Sequence, residues 1–223
     1  ALALGADIEL VLPLLGNILM LQGKTNELLA FEERINEFSN PSLFEWKLLR
    51  GRIYLKNAQP ELARNEFEQA TKLMPNKPSA MNTLATLYLR QKEYVLAEQW
   101  IERSLQIAKN NERTWLLKGD LATSQNNLPL ALEHYQTAYQ LDPQDPKILR
   151  SLVMTHLKLN QTEQAKRYLK QIQEQTPNDP TAILIGATLF AGEDNTEMAE
   201  RALADLSQKV SAAETEELTD ANT

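Results

Sequence analysis

No cysteine occurs among the 223 residues. Disulfides, thiolate metal sites and cysteine nucleophiles are therefore excluded. Histidine is almost as scarce. His134 and His156 are the two present, and neither has a ligand or general-base partner at a telling spacing. There is no phosphate-cradling glycine loop, zinc-protease helix motif or nucleophile elbow. Glycine is sparse at 7 residues, and strand-like alternation is missing, which argues against a β-rich domain. No apolar run is long enough to span a membrane. Basic residues are outnumbered, 23 against 30 acids, and the net charge of −7 disfavours nucleic acid as a partner. From these absences the expectation is no enzyme activity, no catalytic residues, no cofactor and no metal. The chain opens on Ala1, so it is expected to be a processed product or an excised fragment, with any signal or lipid-bearing residue lying upstream.

What the chain does contain is a repeat. The segment Glu112 to Asp145 reads as two amphipathic helices and a stop at Asp142-Pro143. Ala131 in its second helix has counterparts at Ala63, Ala97, Ala165 and Ala199, each 34 residues from the next. The Tyr135 position recurs as Phe67, Ile101, Leu169 and Leu203, and the Gly119 position as Gly51, Ala85, Val153 and Ala187. Small residues suit a close helix crossing, and a large apolar residue one turn on fills the gap. A single hairpin cannot bury both faces, so copies must stack.

The period and these residue types resemble the tetratricopeptide repeat (TPR) family. The resemblance covers nearly the whole chain. One departure is that the leucine before the glycine is replaced by Arg50 and Lys118. The resemblance implies an all-α, right-handed superhelical solenoid of about six helix–turn–helix repeats. A single domain is expected over residues 1–213, with repeats near 9–43, 44–77, 78–111, 112–145, 146–179 and 180–213. Residues 214–223 form an acidic tail expected to be disordered. Gly16 takes the glycine position of a degenerate first repeat, and one extra residue falls near Leu43. Lys109-Asn110-Asn111 replaces the closing proline of repeat three, where asparagine would tolerate left-handed geometry. The helix IELVLPLLGNILML is apolar nearly all round, so a cover is expected: an upstream repeat, a second copy in a homodimer, a partner, or residues 1–8 folded back over it.

In this family the first helix of each repeat lines a concave groove. On this sequence the inward positions give Arg52, Lys56, Asn82, Thr86, Arg90, Arg113, Asp120, Lys147, Arg150 and Lys158 as candidate partner-binding residues. With Glu45 included, that groove has seven basic residues against two acids, which favours an anionic partner. Solvated surface lysine and arginine is the plain alternative. The family's clamp for a C-terminal carboxylate is incomplete. Lys147 matches one position, whereas Leu117, Thr83 and Thr86 stand where polar or basic partners are needed. That ligand class is not expected.

The segments QGKTNELLAFEERI, LLRGRIYL and LLKGDLATSQNNLPLALEHYQTAYQLDPQDP also look like repeat arrays of bacterial envelope proteins. Within these they resemble TPR lipoproteins of exopolysaccharide export and the PEP-CTERM sorting system. This implies a protein–protein interaction scaffold binding a protein or peptide partner during assembly of an envelope, secretion or export machine. The chain would then be periplasmic or tethered to the outer membrane, with the cytoplasm as the alternative. Two further classes stay open: a binder of anionic polysaccharide, with Trp115 as a stacking platform, and the non-catalytic arm of a larger enzyme.

Overall fold

Each 34-residue period folds as a hairpin because its two apolar stripes face each other and a turn sits between them. In the computed structural model the described residues are 38–192 apart from Asn178, with Gly16, Ile18, Met20, Gln22, Glu200 and Ala204. Among them nine helices follow in order: α1 (Asn40–Lys56), α2 (Pro60–Leu73), α3 (Pro78–Arg90), α4 (Tyr94–Ile107), α5 (Glu112–Ser124), α6 (Leu128–Leu141), α7 (Pro146–Lys158), α8 (Thr162–Gln175) and α9 (Pro180–Gly192). The fold is all-α, built from tetratricopeptide-type hairpins. Proline opens α2, α3, α7 and α9, where its missing N–H leaves no intrahelical bond unmade. Most of repeat one, the second helix of repeat six and the acidic tail lie outside the described residues.

The chain divides into two compact units, residues 1–124 and 125–223. In the first unit α1 packs on α2, α2 on α3, α3 on α4 and α4 on α5, and the first helices α3 and α5 also meet. In the second, α6 packs on α7, α7 on α8 and α8 on α9.

The alanine series lies at buried helix crossings in both units. Ala63, Ala97, Ala131 and Ala165 are each fully buried. Gly51 shows why the small position must be small, since a Cβ there would run into the Phe67 ring. Gly16 stands in the same relation to Leu49. The four first helices α3, α5, α7 and α9 have 13 residues each, but α1 has 17. α1 thus begins four residues, about one turn, earlier than its counterparts, which puts Leu43 inside the helix and Pro41 in its first turn.

In the four repeats whose inner turn is described, that turn is left-handed at one residue. Ala58, Lys92, Asn126 and Asn160 have φ of 56°, 61°, 59° and 57°. At Ala58 the helix closes with Gln59 N–H donating to Tyr54 O at 2.8 Å and Ala58 N–H to Leu55 O at 3.1 Å. The same pair recurs at Glu93–Tyr88 and Lys92–Leu89, and at Gln161–His156 and Asn160–Leu157. This is the Schellman closure, which satisfies carbonyls that the helix end leaves open. The left-handed residue expected at Lys109-Asn110-Asn111 is not there. Asn111 acts instead through its side chain, whose Oδ1 accepts from Thr114 N–H at 2.9 Å and caps α5.

Candidate binding pocket

Residues three and four apart on a helix share a face. Arg52, Leu55 and Lys56 therefore project together from α1, and Asn82, Thr83, Thr86 and Arg90 from α3. With Arg113 from the first turn of α5 they line one pocket of about 400 Å³. All eight belong to the first unit. Six of them were expected from the family's groove positions, and Leu55 stands at another such position. Thr83 was passed over because it was weighed only as a clamp residue.

No acid among the described residues lines this pocket. Among the described residues, no carboxylate pairs with Arg52, Lys56, Arg90 or Arg113. Arg52 Nε donates to Leu48 O at 3.3 Å, and Lys56 Nζ to Met20 O at 2.5 Å. Those bonds steady two of the cations without neutralising them. Thr83 and Thr86 donate their hydroxyls to Ser79 O at 2.8 Å and Asn82 O at 2.7 Å. Each oxygen keeps a lone pair. Leu55 gives the wall an apolar, half-buried patch.

Asn82 reaches the pocket but its amide is engaged below it. Its Oδ1 accepts from Thr114 Oγ1 at 2.9 Å, and its Nδ2 donates to Asn111 Oδ1 at 3.2 Å. Thr114 Oγ1 also lies 2.9 Å from Ser104 Oγ. This buried network ties α3 to α5 and α4. Asn82 thus occupies the same layer as Leu48 and Leu116, which hold the equivalent position in α1 and α5 and are buried too.

The other expected groove residues fall elsewhere. Asp120 is half-buried on α5 and is not part of the lining. Lys147, Arg150 and Lys158 lie on α7 in the second unit. Lys147 and Lys158 are exposed, but Arg150 is committed to Asp179 Oδ2 at 3.2 Å and to Pro146 O at 3.1 Å.

The two cations at the family's leucine position prove to be structural. Arg50 meets Glu66 at 2.8 Å and lies 5.7 Å from the centre of the Tyr54 ring, and Lys118 meets Glu102 at 2.6 Å with the Trp115 ring 5.3 Å away. Lys47 completes the first cluster at 3.1 Å from Glu66. Trp115 is held by packing, since its Nε1 donates to Lys109 O at 2.8 Å and its ring lies against the core. His156 is buried, bonded through Nδ1 to Gln161 Oε1 at 2.7 Å and stacked on Tyr168. Burial, then the neighbouring Tyr139, raises the Tyr168 phenol above the ordinary tyrosine range.

Models of the tetratricopeptide repeat match residues 48–112 and 122–184, together more than half of the chain. The chain belongs to the tetratricopeptide repeat family. Among curated TPR relatives, the anaphase-promoting complex subunit CDC16 of Saccharomyces cerevisiae is 22% identical over 169 residues, covering 73% of this chain and 20% of that protein. Human tetratricopeptide repeat protein 7B is 26% identical over 100 residues, covering 45% of this chain and 12% of that protein. The chain thus spans a fifth or less of these relatives' length. Two solved TPR structures share the fold. Pseudomonas aeruginosa pilF superposes with a TM-score of 0.71 at 15% identity, covering 96% of this chain and 97% of that one. PilW, a type IV pilus biogenesis factor, gives 0.73 at 19% identity, covering 90% and 93%.

Proposed function

We propose that this TPR chain is a scaffold that holds an acidic segment of a protein partner in the pocket of its first unit. Repeats of this family generally serve as non-catalytic protein-binding scaffolds. The observation that carries the choice of ligand is the set Arg52, Lys56, Arg90 and Arg113, none of them ion-paired among the described residues, around a cavity whose described lining holds no acid. Arg52, Lys56 and Arg90 are exposed and Arg113 half-buried around it, so four like charges face one solvent-open concavity whose summed field attracts an anionic segment. Leu55 adds room for one apolar side chain. The polysaccharide alternative draws less support, because Trp115 is already engaged by Lys109 and the core.

A labelled poly-glutamate decamer tests this by fluorescence anisotropy. Binding is expected to weaken by about tenfold or more when Arg52, Arg90 and Arg113 are changed to Glu, and likewise on raising salt to about 0.5 M. Equal affinity for both proteins would sink the proposal.

The same reading assigns the partner to a bacterial envelope assembly, a pilus, secretion or exopolysaccharide machine, with the chain in the periplasm or at the outer membrane. Support comes from the segments quoted above and from the fold shared with PilW, itself a pilus biogenesis factor. Fractionation of the source cell that finds the protein in the cytoplasm would count against this assignment.

A further inference from the structure

The pocket's demands are specific enough to search the chain itself for a ligand. Its volume, about 400 Å³, is near the lower end of the range of about 300–1,000 Å³ for small-ligand sites, so a short stretch of chain fits better than a helix. Four cations ask for several carboxylates, and Leu55 asks for an apolar side chain among them. Residues 214–220 of this chain read Glu-Thr-Glu-Glu-Leu-Thr-Asp. In an extended strand residues two apart share a face. Glu214, Glu216, Leu218 and Asp220 would then stand on one side, which is three carboxylates and one leucine.

We infer that the pocket of one copy binds residues 214–220 of a second copy, so that the protein associates with itself head to tail. The inference rests on the anion-binding reading of the pocket and adds the identity of one ligand. The chain's net charge of −7 does not forbid it. At about 0.1 M salt charges more than about 10 Å apart are largely screened, so the segment senses the four nearby cations more than the distant acids. A head-to-tail contact uses two different surfaces, so it can propagate unless it closes into a ring.

Sedimentation of the full chain tests the inference by charge exchange. The pocket variant carries Arg52→Glu and Arg90→Glu, and the tail variant carries Glu214→Lys, Glu216→Lys and Asp220→Lys. The unaltered chain is expected to associate with rising concentration at low salt and to dissociate at about 0.5 M salt. Each variant alone should stay monomeric, and an equal mixture of the two should associate again. Folding of both variants is checked by circular dichroism, and recovery in the mixture cannot come from a misfolded partner. A monomeric wild type, association indifferent to tail reversal, or a silent mixture would each overturn the inference. The poly-glutamate decamer separates the two levels. If it binds the wild-type pocket while the tail does not, the self-association alone falls. If neither binds, the anion pocket falls with it.

Discussion

At Gly51 the packing leaves no room for a methyl group. A Cβ would overlap the edge of the Phe67 ring at Cε1, and both residues are fixed by adjoining helices. Gly51→Ala should therefore destabilise the first unit by about 1–3 kcal/mol, as overpacked cores do, and lower the urea midpoint. The opposite sign is expected at the turns. Ala58 and Lys92 hold left-handed φ of 56° and 61°, where a Cβ is crowded by the following carbonyl. Ala58→Gly and Lys92→Gly should each raise stability by about 0.5–1 kcal/mol, after the extra chain entropy of glycine is subtracted. A fall in melting temperature for either would refute this. The two sites also differ in how legible they were. Gly51 and Phe67 recur by type at 34-residue spacing, so their pairing could be read from the sequence. The left-handed position is filled by Ala, Lys, Asn and Asn; only the two asparagines carry a side-chain preference for it, because the backbone closure rather than the side chain defines the position.

Between elements, the polar network beneath the pocket does work that apolar packing does elsewhere. Leu48 and Leu116 bury the equivalent position by hydrophobic contact, whereas Asn82 does so by bonding Thr114 and Asn111. Asn82→Ala should cost about 1–3 kcal/mol by leaving buried partners less satisfied. Combined with Thr114→Val, its effect should be non-additive by about 0.5 kcal/mol or more, since both belong to one network. Strict additivity in denaturant titrations would show that the network is not a unit. This arrangement was hidden in the sequence. Asn82 falls at a groove position by the family's average, and its partners Asn111 and Thr114 lie 29 and 32 residues away. Arg50 and Lys118 were visible as departures from leucine, but their partners Glu66 and Glu102 sit on second helices whose facing residues the period alone does not pair.

Over the whole molecule, composition and local surface point in opposite directions. The total of −7 gives no hint of a cationic pocket, because a net charge carries no information on which helix face holds each acid or base. The periodic reading separated them by assigning each residue to a helix face. It gathered Arg52, Lys56, Thr86, Arg90 and Arg113 into what proves to be one cavity. It could not foresee that Arg150 is spent on Asp179, since that pairing depends on the length and rotamer of one side chain rather than on register.

The recurrence of a left-handed residue at positions 58, 92, 126 and 160 has an evolutionary meaning. A gene segment coding for 34 residues, cut or copied between equivalent closures, leaves every helix terminus and every small–large contact in phase. Joining Ala58 directly to Glu93, for example, removes 34 residues and restores the turn between two helices of one repeat that the chain already uses at Lys92-Glu93. The protein can thus be lengthened or shortened in whole quanta without a new fold, while a loss of 33 or 35 residues would rotate every downstream face by about 100°.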